Sequence, residues 1–385
     1  MKKTVSIILF CLIFTLRGVS INATPELDTG ATVSIITCGA GNEFYTTFGH
    51  SAIHIQDTVS GIDVVYNYGT FDFDTPHFYL TFARGRLNYC LSRTSYLDFL
   101  MEYTLEGRAV WEQELLLTQQ EKQNLFVFLE TNYLPEYRYY RYDLLRDNCA
   151  TRVRDAVNNI LVHRNLFETT IPSHPQTYRE LLTQSTGETL RWWQLGVDIV
   201  LGARCDNPCN NQEYMFLPVE LMRQLDTTRL SDTHQPLAKP ARQILKEDRT
   251  PLSRSISPTV SFWVLFVIVT SITIIGWKKK WSLKWMDVLL FLVAGLASVV
   301  ILFLWFCSEH YCTVFNLNIL WANPLYLYLA ILPRKHNRYV VYLQTALFAC
   351  LTIVAALGVQ TFNEAIIPIA LILFIRTINI LVLKK

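Results

Sequence analysis

A cysteine placed just after two helix-capping residues is the most reactive group that the sequence offers. Asp147 and Asn148 are typical N-cap residues, and apolar residues recur at helical spacing from Ala150 onward. Cys149 is therefore predicted in the first turn of a helix, where free N–H groups and the helix dipole favour a thiolate and lower the thiol pKa. The chemistry this favours is nucleophilic attack on a carbonyl. For an isolated Asn-Cys pair, the alternative is a buried core cysteine.

A histidine that can act as a base opens a predicted β-hairpin. The run 50–56 is β-rich, and the loop 57–63 turns the chain back into a second strand. If Gln56 pairs with Asp63, His50 and Asn67 lie on one side of the hairpin. Cys149, His50 and Asn67 can then serve as the nucleophile, base and orienting group of a hydrolase or acyltransferase.

A metal site is a weaker interpretation of the two histidines in this hairpin. His50 and His54 on a strand lie about 13 Å apart, too far to bind one ion. Zinc at Cys205 and Cys209 would need two more ligands nearby, so in an exported domain this pair is predicted as a disulfide. No metal and no cofactor are predicted.

The segment 137–146, which precedes the cysteine, is rich in tyrosine and arginine. It carries four tyrosines together with Arg138, Arg141 and Arg146. An arginine here could bind a phosphate or a lipid headgroup. The alternative is an amphipathic strand that packs its rings.

Composition divides the 385-residue chain into two different parts. The net charge of +2 is too balanced to indicate nucleic-acid binding. Residues 1–23 resemble a secretory signal cleaved after Ser20 or Ala23, with an uncleaved anchor as the alternative. We predict an exported catalytic domain over 24–225, a polar linker over 226–258 and a membrane domain over 259–385.

The membrane domain is predicted to contain five spans. They cover about 259–277, 286–307, 317–333, 339–359 and 365–383, each near the length that a bilayer requires. Lysine and arginine cluster at 278–284, 334–338 and 384–385, which assigns these ends to the cytoplasm and the N-terminal domain to the outside. Glu309, His310 and the asparagines at 316, 318 and 323 then lie at the outer boundary, where they could shape a substrate entrance.

The order of these elements resembles known acyltransferases. A strand histidine followed much later by an Asn-Cys helix is similar to the circularly permuted papain-like domain of the lecithin:retinol acyltransferase type. The segments 47–53, 65–71, 82–85, 139–143 and 147–152, with the five-span region, resemble the Lnb-type lipoprotein N-acyltransferases of Gram-negative bacteria. The expected fold is α+β, followed by an all-α transmembrane bundle.

The resemblance implies a reaction, its partners and a location. A phospholipid would donate an acyl chain, through a Cys149 thioester, to the terminal amine of a diacylated lipoprotein in the bacterial inner membrane, with the N-terminal domain in the periplasm. It leaves the third catalytic group open among Asn67, Glu43 and Asp143. His54 replaces an arginine expected in such proteins. The predicted substrate contacts are Asn148, Arg141, Tyr142, Arg84, Glu309 and His310.

Two other functions fit the same residues less well. An exported cysteine peptidase or peptidoglycan hydrolase could use the Cys-His pair on a peptide bond, but one anchor would suffice for it. A non-catalytic membrane scaffold would not need Cys149. An acyl donor resides in the membrane, so a large lipid-facing bundle favours the acyltransferase.

Overall fold

The computed structural model describes residues 24–161, 175–186, 190–250, 256–331 and 338–382. The predicted signal, 1–23, lies outside this range. The strands of the N-terminal domain are β1 (Thr32–Cys38), β2 (His50–Asp57), β3 (Ile62–Thr70), β4 (Asn88–Ser95), β5 (Val110–Glu114), β6 (Tyr139–Arg141) and β7 (Arg242–Leu245). Its helices are α1 (Phe78–Ala83), α2 (Tyr96–Leu105), α3 (Gln119–Tyr133), α4 (Cys149–Ile160), α5 (Tyr178–Thr186), α6 (Arg191–Val200), α7 (Asn211–Tyr214) and α8 (Pro218–Thr227).

The strands form one antiparallel sheet in the order β6-β4-β3-β2-β1-β5-β7. The predicted hairpin register is confirmed, because Gln56 pairs with Asp63. The β2–β3 pairs run from Asp57–Ile62 to Ile53–Tyr66 and stop there. The two strands therefore separate at the end that carries His50.

Side-chain alternation gives the sheet two buried faces. Ile35 and Ile53 pack with the apolar sides of α3, α4 and α8, whereas Ile36 and Ala52 pack on the opposite face with Phe99 of α2. Both faces are covered by helices, which confirms the predicted α+β class. The cysteine helix α4 lies on β2 and β3.

The segment predicted as a linker is largely part of the domain. Strand β7 pairs with β5, and Leu230 and Leu237 are buried in the core beneath α4. The composition of 226–258 is polar, but a few buried leucines and one edge strand are enough to hold it on the sheet.

The cysteines described in the N-terminal domain are free thiols. Cys205 and Cys209 are free buried thiols, in disagreement with the predicted disulfide. The Cys205 Sγ instead lies 3.5 Å from the Cys312 carbonyl oxygen, which it faces as a donor. Cys38 on β1 and Cys90 on β4 are also free, and β2 and β3 lie between their strands.

The C-terminal region is helical and apolar, as predicted. Its helices are α9 (Pro258–Lys279), α10 (Lys284–Phe306), α11 (Leu325–Ile331), α12 (Arg338–Ala356) and α13 (Ile366–Val382). Within the described residues, α9, α10 and α12 are long and apolar enough to cross a membrane. The apolar part of α13, Ile366–Ile380, is shorter.

The third predicted span is a broken helix and not a straight one. The 3₁₀ turns over Tyr311–Leu320 are followed by α11 at an angle of 50°, and the pair counts as a fourth span if it crosses as one unit. The break is stabilised by buried asparagines, since Asn316 and Asn318 donate to main-chain carbonyls of α6 and Asn323 pairs with Gln344. Irregular backbone at this depth is tolerated because protein covers it.

Candidate active site

Asn148 is the N-cap of helix α4, as the sequence predicts. Its Oδ1 accepts from the N–H groups of Ala150 and Thr151, both at 2.9 Å. Its Nδ2 donates to the carbonyls of Leu144 and Phe216. All of these contacts are within the protein and Asn148 is 3% exposed. They position Cys149, and substrate binding by Asn148 stays a prediction.

Cys149 lies between the separated ends of β2 and β3. The Ser51 N–H, on β2, faces its thiol. On β3, a Cβ added to Gly69 would lie 3.6 Å from the Cys149 Cβ. Gly69 has φ +98° beside an irregularity in the β3–β4 pairing, a conformation that favours glycine. The irregular backbone at Gly69 thus leaves space for the Cys149 side chain.

The pKa of the Cys149 thiol is raised, contrary to the sequence-based expectation. Burial is the largest cause and raises the pKa. The N–H groups of Ser51, Ala150 and Cys149 itself lower it, as expected at a helix N-terminus, but they do not overcome the loss of solvent. At neutral pH the resting group is therefore a thiol.

His50 is the first residue of β2, and its imidazole contacts the predicted orienting group. The His50 Nε2 lies 3.3 Å from Asn67 Oδ1, while Asn67 Nδ2 donates to Thr94 Oγ1 at 3.4 Å. Burial, followed by the positive charge of Arg108, lowers the pKa of His50 from its ordinary 6.5 to about 4. The imidazole is therefore neutral at physiological pH, as a general base must be.

Arg108 is a component of the site that sequence reasoning missed. Its charge lowers the pKa of both His50 and Cys149. All three groups therefore lie near one another, at one end of the sheet. The side chain is buried, donates to the Gly39 carbonyl at 2.9 Å and lies over the Tyr103 ring. No motif surrounds this single arginine in the sequence, so only the fold could identify it.

The other candidates for the third catalytic group have structural contacts. Glu43 is exposed before a 3₁₀ turn and offers its main-chain carbonyl to Thr46. The Asp143 carboxylate accepts the N–H groups of Leu145 and Arg146, and also that of Tyr311 in the outer membrane loop at 3.2 Å. Asp143 therefore shapes the turn before Cys149 and ties it to the membrane domain.

His54 lies between two carboxylates and is itself buried. Its Nδ1 lies 2.7 Å from Glu112, its Nε2 lies 2.8 Å from Asp63, and its ring stacks on Tyr96. Both ring nitrogens are occupied, so His54 supports the sheet at a distance from Cys149.

Four of the predicted substrate-binding residues, Arg84, Arg141, Glu309 and His310, lie at the membrane loop that follows α10. Glu309 is held by Arg86 at 2.8 Å and by Arg141, and its N–H donates to the Arg84 carbonyl. His310 Nε2 lies 2.8 Å from the Phe82 carbonyl oxygen. These contacts attach the outer loop to α1 and β6.

Tyr142 links this loop region to the cysteine. Its ring stacks on Tyr89 at 4.4 Å, and burial followed by the neighbouring Cys149 raises the pKa of its hydroxyl. Tyr142 therefore lies beside Cys149, and substrate binding by Tyr142 stays a prediction.

Comparison with known proteins gives one result for each half of the molecule. Residues 22–184 match the Lnb N-terminal periplasmic domain, and residues 250–385 match the Lnb transmembrane domain. No curated protein and no solved structure matches the chain. The two matched regions lie in the same order as the sheet domain and the helical domain, so the chain belongs to the Lnb family of lipoprotein-processing membrane proteins, with a periplasmic N-terminal domain followed by a transmembrane domain.

Proposed function

We propose that this protein is an N-acyltransferase that moves an acyl chain from a membrane phospholipid to the terminal amine of a lipoprotein S-diacylglyceryl-cysteine. The main support is the position of Cys149. It begins a helix between two separated strands, faces the Ser51 N–H, and shares its end of the sheet with a neutral His50 held by Asn67. Family membership favours a lipoprotein as the acceptor.

The first half-reaction is acylation of Cys149. Because burial raises the pKa of the thiol and lowers that of His50, a resting thiolate–imidazolium pair is disfavoured. His50 instead takes the thiol proton as the sulfur attacks the ester carbonyl. The lysophospholipid oxygen leaves with the proton from His50, and a thioester remains on Cys149.

The second half-reaction transfers the acyl chain to nitrogen. The lipoprotein amine attacks the thioester, His50 accepts the amine proton, and the sulfur leaves as the thiol after that proton returns. The acyl chain reaches nitrogen and not water only if the site is dry. Tyr89, Tyr142 and the docked outer loop cover the approach to Cys149 and can exclude water.

A row of aromatic rings offers the acyl chain a route from the membrane. Phe78 packs on Phe71 at 5.8 Å, Phe71 on Tyr89 at 5.1 Å, and Tyr89 on Tyr142 beside Cys149. Helix α1, which contains Phe78, buries none of its residues. It contacts the loop that directly follows membrane helix α10, so it lies near the lipid boundary.

The alternative, a peptidase or peptidoglycan hydrolase, would use the same nucleophile and base. The docked loop disfavours it, because Asp143 and Tyr311 tie the turn before Cys149 to the membrane domain. An enzyme of the cell wall gains nothing from a site attached so closely to the lipid boundary.

The decisive experiment is mass spectrometry of the purified full chain mixed with phospholipid alone. We expect one fatty acyl mass on the Cys149 peptide, removed by neutral hydroxylamine, and little or none with Cys149→Ser because a serine hydroxyl is far less acidic. His50→Ala should lower the acylation rate by about 10²–10⁴ in a folded protein. Lys239→Ala, at an exposed ion pair on β5, is the control.

Two outcomes would contradict the proposal. Acyl transfer to a lipoprotein peptide without any acyl-enzyme would mean direct transfer. Loss of wall-fragment release in cells that carry Cys149→Ala, with lipoproteins still triacylated, would favour the hydrolase.

A further inference from the structure

The N–H groups in the first turn of helix α4 could bind an oxyanion, but two of them already donate to the N-cap side chain. Asn148 Oδ1 already accepts from Ala150 and Thr151. The N–H groups that face the sulfur are those of Ser51, Ala150 and Cys149. When the sulfur attacks an ester carbon, negative charge develops on the carbonyl oxygen and not on the sulfur. A further donor on the other side of that oxygen would complete the site.

Tyr140 carries a hydroxyl that is suited to this task. Its side chain is 9% exposed, and its hydroxyl is a buried atom without a hydrogen-bond partner in the described part of the chain. Most buried polar groups are paired, so an unpaired hydroxyl requires an explanation. An unmade hydrogen bond is costly in the free enzyme and becomes useful if a reacting group supplies the acceptor.

The hydroxyl lies beside the nucleophile. A single point, the Cβ position built on Gly69, is 3.6 Å from the Cys149 Cβ and 4.0 Å from the Tyr140 hydroxyl oxygen. The absence of a side chain at Gly69 leaves open the space between the two groups. The Tyr140 ring is held by Arg152, stacked at 4.1 Å, and by the edge of Tyr68, so the hydroxyl is aimed before substrate arrives.

We propose that the Tyr140 hydroxyl donates a hydrogen bond to the oxyanion that forms when Cys149 attacks an acyl carbonyl. The inference rests on the proposed attack by Cys149. The sulfur–carbon bond forms, the carbonyl π electrons move to oxygen, and the thiol proton goes to His50. Tyr140 donates a hydrogen bond and keeps its proton.

The protonation state of Tyr140 agrees with this role. Burial, followed by the neighbouring Cys149, raises the pKa of its hydroxyl well above its ordinary range. The group is therefore a donor throughout the working pH range of such an enzyme.

The test is Tyr140→Phe in the full chain, because it removes the hydroxyl and keeps the ring. We expect single-turnover acylation of Cys149 by phospholipid to fall by about 10²–10³, the usual loss for one oxyanion donor. Alkylation of Cys149 by iodoacetamide has no oxyanion and should keep its rate. Tyr66→Phe, which removes a hydroxyl bonded to Glu130, should leave acylation within about threefold of wild type because it leaves the reacting carbonyl untouched.

A second substrate separates this inference from the proposed function. Hydrolysis of a short p-nitrophenyl ester passes through the same oxyanion without a phospholipid or a lipoprotein. If phospholipid never acylates Cys149 but Tyr140→Phe still slows p-nitrophenol release about 10²-fold, the phospholipid is wrong as the acyl donor and the inference about Tyr140 stands. The inference about Tyr140 would be overturned if Tyr140→Phe kept acylation and ester hydrolysis within about threefold of wild type. It would also be overturned if alkylation of Cys149 slowed as much as acylation does.

Discussion

The two reactive side chains, Cys149 and His50, are neutral for the same physical reason. Each is partly buried, and loss of solvent disfavours the charged form of any group. For the thiol this outweighs the helix N–H groups, and for the imidazole it acts together with the Arg108 charge. Charge separation is thereby postponed until substrate is bound, which protects the thiol from reactions that require a free thiolate.

The His50 pKa predicts how activity depends on pH. His50 stays neutral until the pH approaches about 4, so the acid limb of kcat/KM for Cys149 acylation should be centred near 4. A limb centred near the ordinary histidine value of 6.5 would contradict this assignment. The measurement is the single-turnover acylation rate between pH 3.5 and 8.

The lowered pKa of His50 also predicts how the free energy of unfolding depends on pH. The folded pKa lies below the unfolded one, so between pH 6.5 and about 4 the unfolded chain binds a proton that the folded chain does not. Stability is complete above 6.5 and is lost as the pH falls through this window. In His50→Gln the thermal midpoint should lose this part of its pH dependence.

Among the elements, the loop that follows α10 connects catalysis to the membrane. Its Glu309 side chain is shared by Arg86 and Arg141, and its His310 main chain lies so close to Gly85 that an added Cβ would be 3.1 Å from the His310 nitrogen. A carboxylate between two arginines occupies the position in which a phosphate would bind equally well. Glu309 and the donor phosphate are therefore expected to compete.

Replacing Glu309 by glutamine tests this competition. Glu309→Gln removes the negative charge between the arginines, so the phospholipid concentration that half-saturates acylation should fall about two- to fivefold, as expected for exposed ion pairs. The effect should disappear with diacylglycerol, which has no phosphate. Glu114→Gln, at the exposed pair with Lys239, is the control. An increase in the half-saturating concentration would instead mean that Glu309 only docks the loop.

At the level of the whole molecule, a buried ion pair joins three membrane helices. Arg376 of α13 contacts Asp287 of α10 at 2.6 Å and Thr273 of α9 at 2.7 Å. The two charged side chains are almost fully buried. The pair lies near the α9 and α13 ends assigned to the cytoplasm, far along the helices from the docked loop. The pair therefore joins α9, α10 and α13 near the ends assigned to the cytoplasm.

Disrupting one partner of this pair should be worse than removing both. Arg376→Leu leaves Asp287 charged, buried and unpaired, at a cost of about 3–5 kcal/mol. Arg376→Leu with Asp287→Leu should recover a large part of that loss. The measurement is the thermal midpoint in detergent, with Arg223→Leu as the control because that side chain is exposed and pairs with Glu220. A double variant no more stable than Arg376→Leu would show that the pair itself is not what matters.

The sequence predicted the features that depend on neighbouring residues. The cap at Asn148 and the register of the β2–β3 hairpin both formed as expected. Each is governed by hydrogen bonds or side-chain spacing within a few residues, so a short segment carries the whole signal. The long apolar runs of the C-terminal region are equally local, because bilayer thickness sets their length.

The tertiary structure alone decided the features that depend on distant contacts. The raised Cys149 pKa comes from burial against the sheet. The Asn148 side chain is fixed in part by its hydrogen bond to the Phe216 carbonyl, 68 residues away. The placement of Arg108 beside His50 and the unpaired Tyr140 hydroxyl beside Cys149 likewise arise only when separate strands and a helix meet. Residue order predicts which groups can react. Burial and distance, set by packing over the whole chain, determine their charge and their partners.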